Sequence, residues 1–594
     1  MALDALPGLS SDLIATSLKE STKGFSNDHF HQEVEDDTVF FAFRPSFLVN
    51  NWFGPENESS FGETKMNRAQ FPCMISFSND VDADARATVN EAFLKNLQLL
   101  ISTSFPASVK TLVEKIRPRR IVFTGHSSGG ATAILATVWY LETFFTKKSS
   151  NEFSFPEPLC LTFGAPLVGD YVFKHALGRE NWGRLFFNFV TIFDIVPRIM
   201  LAPKASTKQA LPYALSLLGR RASIQENDQT IADFYATVMK DVETAARQAN
   251  CELIGDGGNA FLETFSSFLE LSPYRPAGTF VFSTGTRLVA MDNSDVILQI
   301  LFYASQSSNE RELSLRPNQS IRDHHSYQEM VDSNLDMDHL ALDESALIDF
   351  GLSTSAAREC VHAAFEAEKK RVDNQSKIET TKQSKIVDKL KWIEEEYKQP
   401  RCQAPAKGYY DSFKESNEEN DFNANVTRAE LAGSFDDVLG LLKKGQLPDG
   451  FEGSSVWTDL VTRYRKLMEP LDIGNYYRHL KNEDTGSYME KGRPKRYKHA
   501  QKLYEHVLLK AGRSAEEIEA SGLGPCFWAE VEELRGIAYN EARVNRLEEL
   551  LQGWIRDKEV DDEHIFLEGS TFRKWWQSLP EVHRSRSCLR VSMG

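Results

Sequence analysis

Ser127 stands in Gly125-His126-Ser127-Ser128-Gly129, a Gly-x-Ser-x-Gly pattern that follows the apolar run Ile121-Val122-Phe123-Thr124 and precedes an alanine-rich stretch from Ala131. Strand, sharp turn and helix in that order make a nucleophile elbow, which lifts a serine hydroxyl onto the rim of an α/β sheet. Gly125 and Gly129 let strand and helix approach where a side chain would clash. The backbone N–H of Ser128 is then free to face an oxyanion at the start of the helix. A plain Gly/Ser turn is the competing reading; the strand before and the helix after it favour the elbow.

A serine hydroxyl is a poor nucleophile until a base takes its proton, and that base needs an acid to orient it. In α/β hydrolases the partners follow in the order Ser, Asp, His. Phe186 to Ile192 has the pattern of a buried strand, and Asp194 follows its end, where it either serves as that acid or caps the turn before Pro197. Arg322-Asp323-His324-His325-Ser326-Tyr327 then offers two histidines. His324 is favoured because His-x-x-Tyr puts an aromatic ring where it buttresses the imidazole; His325 stays open. A second oxyanion donor belongs after the first strand, near Arg44-Pro45-Ser46, where Pro45 has no N–H to give.

The elements that must position these groups alternate. Val39 to Phe43, Ile121 to Thr124, Leu159 to Phe163, Phe186 to Ile192 and Thr279 to Ser283 read as strands. Ala87 to Ile116 reads as one long helix broken near Pro106, and a second helix runs from Ala131 to about Phe145. Strands separated by helices imply a mainly parallel sheet covered on both faces. From about Ala356 the strand signals stop. Residues 356–398 carry Ile386, Leu390, Ile393 and Tyr397 at helical spacing, and Pro400 and Pro405 then interrupt. Further helical patterns cover Arg428 to Lys443, Ser455 to Met468, Lys495 to Ala511, Ala515 to Ala520 and Trp528 to Arg556. Glu415 to Asn425 is polar enough for a mobile loop, with Phe422 as an anchor inside it. The expected architecture is an α/β domain over residues 1–355, a helical linker or bundle start over 356–400, and an all-α bundle over 401–594.

With 594 residues, 41% hydrophobic and 26% charged, the composition is that of a soluble globular protein of several cores. A net charge of −17 argues against general nucleic-acid binding. No run of about eighteen apolar residues offers a membrane span, and Met1 to Pro7 lacks the basic start and apolar middle of a signal peptide. Seven scattered cysteines without C-x-x-C spacing point to free thiols in a reducing, intracellular setting, with no structural zinc. No metal or cofactor is expected.

Two surfaces stand out beyond the triad. Phe261, Leu262, Phe265, Phe268 and Leu269 form one helical stripe behind Gly255, Gly257 and Gly258; a core helix, a lid and a docking helix share that pattern. From Arg463 to Lys498, ten Lys or Arg face five Asp or Glu, with Tyr464, Tyr476, Tyr477, Tyr488 and Tyr497 interleaved. Basic side chains grip phosphates and aromatic faces stack on bases or sugars. A solvated face, or a nuclear-localisation run from Arg493 to Lys498, is the bland alternative.

Thr124 to Gly130, Leu161-Thr162-Phe163-Gly164-Ala165-Pro166 and Asp194-Ile195-Val196-Pro197 resemble the class 3 lipase pattern. Phe268 to Pro276 and His479 to Gly486 resemble the plant Enhanced Disease Susceptibility proteins, lipase-like immune regulators with a helical C-terminal EP domain. The similarity spans essentially the whole chain and is greater to the founding member of the family than to its relatives. It implies an α/β-hydrolase (class 3 lipase-like) domain followed by an EP bundle, in a scaffold for plant defence and the hypersensitive response. That scaffold heterodimerises with the phytoalexin-deficient or the senescence-associated carboxylesterase-like relative; a homodimer stays open. By the resemblance, the Phe261 to Leu269 helix enters a groove of the partner. Phe422, Arg478, His479, Lys481 and Arg496 line a cavity for a phosphorylated, ribosylated adenine nucleotide made by TIR-domain enzymes, and helper nucleotide-binding leucine-rich-repeat receptors respond. Cytoplasm and nucleus are the implied locations. Ester hydrolysis is dispensable in this reading. The alternative is a working serine esterase or acyl hydrolase on lipid-like substrates, using Ser127, Asp194 and His324.

Overall fold

The computed structural model describes residues 9–24, 29–54, 60–77, 85–146, 154–220, 228–254, 271–283, 288–306, 309–333, 347–348, 350–352, 354–402, 407–514, 517–518, 521 and 523–593; for 250–254, 354 and 402 it describes the backbone alone. The chain divides into two compact units, Met1–Ser76 with Asp84–Lys369, and Phe77–Ala83 with Lys370–Gly594.

In the first unit the strands are β1 (Phe30–Glu35), β2 (Thr38–Phe43), β3 (Glu63–Lys65), β4 (Thr88–Asn90), β5 (Arg120–His126), β6 (Pro158–Phe163), β7 (Phe186–Thr191), β8 (Thr279–Ser283) and β9 (Leu288–Met291). Seven of them form one sheet in the order β1-β2-β5-β6-β7-β8-β9, and β3 pairs with β4 apart from it. From β2 to β8 the neighbours are parallel, while β1 and β9 are antiparallel edges. The parallel strands are buried because helices cover both faces. Val39, Phe41, Phe43, Ile121 and Phe123 point into one core, and Phe40, Val122, Leu161, Phe163 and Phe189 into the other. That period of two pins the register, since a one-residue slip would exchange the faces of every side chain. The Thr124 hydroxyl, on the second face, donates to the Ser17 carbonyl at 3.1 Å and ties the helix Ser11–Lys23 to β5.

The expected strands are all present, with end points differing by a residue or two. The expected long helix from Ala87 is instead β4 followed by the helices Glu91–Ile101 and Phe105–Ile116. Asn90 caps the first of these, its side chain accepting from the Phe93 N–H, and Pro106 sits in the first turn of the second, where its missing N–H costs nothing. Edge strand β1 escaped the sequence reading because half of its residues are exposed and it lacks the continuous apolar run of its buried neighbours, whereas β9 is apolar and buried throughout but only four residues long.

In the second unit every described element is helical. Ile386, Leu390, Ile393 and Tyr397 are buried, as their spacing requires. Ser455–Arg478 is the central helix, packed against Tyr409–Glu415 and Lys495–Lys510. The segment Glu415 to Asn425 is not a loop. A helix runs from Glu419 to Lys443 and opens with a reciprocal capping box between Glu418 and Asp421. Asp421 is buried, where it accepts from Tyr397 Oη at 2.7 Å and Arg401 Nη2 at 2.9 Å. Its polar neighbours hid the fact that one carboxylate is a core residue. The pattern at Ala515 to Ala520 lies mostly outside the described residues.

Candidate catalytic triad and arginine network

β5 ends at His126, and Ser127 enters the helix Ser128–Tyr140 with φ 55° and ψ −133°, a backbone conformation that costs a non-glycine residue of order 1–3 kcal/mol. The surroundings impose it. A Cβ on Gly125 would lie 2.3 Å from the Gly129 carbonyl, and one on Gly129 would lie 2.4 Å from the Phe43 carbonyl oxygen. Strand, elbow and helix are in direct backbone contact, so both flanking glycines are steric requirements.

The partners converge from separate elements. His324 caps the C-terminus of the helix Glu310–Asp323, and its Nδ1 donates to Asp194 Oδ2 at 2.8 Å. Tyr327 Oη donates to the same oxygen at 2.7 Å and accepts from the Thr191 N–H at 3.2 Å. Asp194 Oδ1 accepts from the Val196 N–H at 2.9 Å. With Nδ1 committed as a donor, His324 Nε2 carries a lone pair, as a general base requires. Among the described residues neither Ser127 Oγ nor His324 Nε2 has a hydrogen-bond partner, and both residues are fully buried. His325 does not take the place beside Asp194; His324 does.

Residues outside the sequence reading hold this arrangement. His126 Nε2 lies 2.8 Å from the His324 carbonyl oxygen, so that ring nitrogen carries a proton and steadies the histidine loop. Arg198, fully buried, donates to the carbonyls of Ile192 at 2.7 Å and Leu301 at 2.9 Å, and to that of Asp194. It fixes the turn that presents the aspartate and balances its charge. Burial, with the Asp194 charge second, pushes the Asp323 carboxyl up to about 6. Gly164 has φ +57°, and a Cβ there would meet Asp194 Oδ2 at 2.4 Å, Tyr327 Oη at 2.8 Å and His324 Nδ1 at 2.9 Å. The Gly164-Ala165-Pro166 run carried that signal in the sequence.

Among the described residues the oxyanion region has one free donor. The Ser128 N–H opens its helix and has no acceptor within it. The Ser46 N–H donates to Ser128 Oγ at 2.7 Å, and that hydroxyl donates back to the Ser46 carbonyl at 2.9 Å. Elsewhere in this unit Glu20, His31 and Glu33 bring three ligand-type atoms within 4.8 Å of one another. Lys23 already pairs with Glu20 at 2.8 Å and Glu33 at 3.5 Å, so an ammonium fills the cationic role there.

In the second unit the basic stretch is largely neutralised from within. Arg496 donates through Nε to Tyr464 Oη at 2.9 Å, through Nη1 to Asp436 at 3.0 Å and through Nη2 to Asp472 at 2.8 Å. Asp472 also takes Arg428 and, at 2.6 Å, Tyr497 Oη. Arg465 and Arg493 close on fully buried Glu469 at 2.9 and 2.7 Å, and Cys526 Sγ lies 3.4 Å from it. Burial alone would raise the Glu469 carboxyl; Arg493 and Arg465 bring it below its ordinary value. Tyr464, Tyr476, Tyr477, Tyr488 and Tyr497 are all buried, so the tyrosines form core rather than a stacking platform.

What remains outward is smaller. Phe422 is 65% exposed. Arg478 donates to the Phe413 carbonyl at 3.2 Å and to Asn475 at 2.8 Å, lies over the Phe413 ring at 5.5 Å and approaches His479 at 3.3 Å. Burial, with the Arg428 charge second, lowers its pKa. His479 and Lys481 are exposed, and the Lys481 ammonium has no partner among the described residues. Arg428 shares Asp472 with Arg496 and was missed, because it lies outside the dense basic stretch. Phe261, Leu262, Phe265, Phe268 and Leu269 lie outside the described residues.

Residues 60–204 match the profile of class 3 lipases, and residues 388–592 match the Enhanced disease susceptibility 1 protein EP domain. The first match contains Ser127 and Asp194 and stops before His324. The chain is 58% identical to Protein EDS1B of Arabidopsis thaliana over 99% of its own length and 98% of that protein's. It is 25% identical to Lipase-like PAD4 over 75% and 70% of the two chains, and 22% identical to Senescence-associated carboxylesterase 101 over 93% and 84%, both from the same plant. Among the described residues no helix is long and apolar enough to cross a membrane.

Proposed function

The chain belongs to the Enhanced disease susceptibility 1 family, and on that premise we propose that it regulates plant immunity as a lipase-like signalling scaffold. It pairs with a relative of the Lipase-like PAD4 or Senescence-associated carboxylesterase 101 type. The pair receives a ribosylated adenine nucleotide produced by TIR-domain enzymes at the basic face of the EP unit, engages helper immune receptors, and works in cytoplasm and nucleus. The observation that carries this reading is the full-length likeness, at 58% identity, across both the lipase-like and the EP unit. Exposed Phe422, His479 and Lys481 beside Arg478 support a phosphate-recognising surface. Arg496 takes part through Asp472 and Asp436, which an incoming phosphate would have to replace.

The test is complementation of a plant lacking the family. Signalling survives Ser127→Ala and fails with Arg496→Ala. Because Arg496 also ties three side chains together, Lys481→Ala supplies the control that leaves internal contacts untouched, and it weakens the response too. Loss with Ser127→Ala and retention with both basic variants would overturn the reading.

A second reading, a working serine hydrolase, draws on the Asp194–His324 bond at 2.8 Å and the bare Nε2.

A further inference from the structure

We propose that the Ser128 hydroxyl occupies the oxyanion hole of Ser127, so that this chain carries an assembled triad in a latched state. An acyl or phosphonyl transition state needs two N–H donors about 3 Å from the developing oxyanion. One is the residue after the nucleophile, Ser128; the other comes from the loop after the first parallel strand. In this chain that loop is Arg44-Pro45-Ser46, and Pro45 has no N–H, so Ser46 is the donor that follows. Its N–H points at Ser128 Oγ at 2.7 Å, and the same hydroxyl satisfies the Ser46 carbonyl at 2.9 Å. One small side chain therefore closes both backbone polar groups of Ser46, including the N–H that the oxyanion would have to reach. The close approach that makes this possible is built in, since a Cβ on Gly129 would lie 3.1 Å from Pro45 N and closer still to the Phe43 carbonyl.

The loop does not depend on Ser128 for its place. Trp52 Nε1 donates to the Ser46 carbonyl at 2.7 Å, and Asn51 Nδ2 donates to Ser46 Oγ at 2.6 Å. Removing the Ser128 hydroxyl leaves the Ser46 N–H held in position and unpaired, which is the condition of a working oxyanion donor. A merely structural tie between loop and helix would, on removal, loosen the site and slow any chemistry. The two roles predict opposite signs.

A small fluorophosphonate applied to the full-length protein reads the difference, with adduct formation followed by intact mass. The Ser127 Oγ–P bond forms, the P–F bond breaks with loss of fluoride, and the serine proton passes to His324 Nε2. Wild type labels slowly and Ser127→Ala does not label. Ser128→Ala labels at least tenfold faster than wild type, in line with the hundredfold or greater worth of one oxyanion donor. Ser128→Gly, which also lacks the hydroxyl and adds no methyl, shows the same acceleration. If Ser128→Ala and Ser128→Gly label no faster than wild type while their melting temperatures hold, the latch is overturned.

Discussion

The serine centre of the first unit and the arginine network of the second are both built from buried charges and hydroxyls, and they differ in how their hydrogen bonds end. Around Asp194 the bonds run in a line, from the Thr191 N–H through Tyr327 to the carboxylate and on to His324, and stop at Nε2. The last two groups, Nε2 and Ser127 Oγ, are buried without partners among the described residues, each at a cost of about 1–3 kcal/mol. Around Glu469 the bonds close on themselves, with two arginines on one carboxylate and Gln501 taking a further donor of Arg493 at 2.6 Å. A line with open ends retains a local cost and a reactive pair. A closed network retains neither, so the same residue types become scaffold.

The largest expected effect comes from breaking the closed network. Glu469→Gln leaves Arg465 and Arg493 buried against a neutral group, and removing one partner of a buried ion pair costs about 3–5 kcal/mol. Urea unfolding followed by hydrogen exchange should place that loss in the helices Ser455–Arg478 and Lys495–Lys510. A loss below about 1 kcal/mol would mean that the network is not the closed structure described.

Glu142 sharpens the comparison, because it is a carboxylate as buried as Glu469 but without arginines bonded to it. Its Oε1 accepts the Cys73 N–H at 2.8 Å, and burial pushes it up to about 7. A raised carboxyl holds its proton in the folded state while the unfolded chain has lost it, so stability falls as pH rises from the ordinary glutamate range through about 7. Glu142→Gln keeps the acceptor and removes the ionisation. At pH 8 it should stabilise the first unit by about 2–3 kcal/mol, and near pH 4 it should do almost nothing. Thermal melting at the two pH values checks this, and an equal effect at both would remove the burial argument.

These two carboxylates also mark what the sequence could and could not disclose. The triad was legible because its order is fixed and each member sits next to a local signal: glycines around Ser127, a strand before Asp194, an i+3 tyrosine after His324. The parallel strands were legible because both of their faces are apolar. The arginine network was not. Arg496 finds Asp436 and Asp472 on two other helices, and Arg428, on the helix that carries Asp436, reaches Asp472 as well. Counting charges along a stretch sees the ten cations and five anions but not which of them meet. Tyrosines among lysines looked like a surface for the same reason, since their burial depends on helices distant in the chain.

Tyr327→Phe gives the smallest effect and tests the open line itself. The phenol is one of three donors on Asp194, and the other two, His324 Nδ1 and the Val196 N–H, remain at 2.8 and 2.9 Å when it is removed. The ring stays buried between Phe163 and the histidines, so packing is unchanged. The loss is one neutral-to-charged hydrogen bond together with an acceptor for the Thr191 N–H, about 1–2 kcal/mol. In the Ser128→Ala background, where Ser127 is labelled readily, the labelling rate should fall only a few fold, because Asp194 still orients His324. A loss of stability as large as that of Glu469→Gln would show that Asp194, too, sits in a closed network, with Tyr327 an essential member and the catalytic line only a part of it.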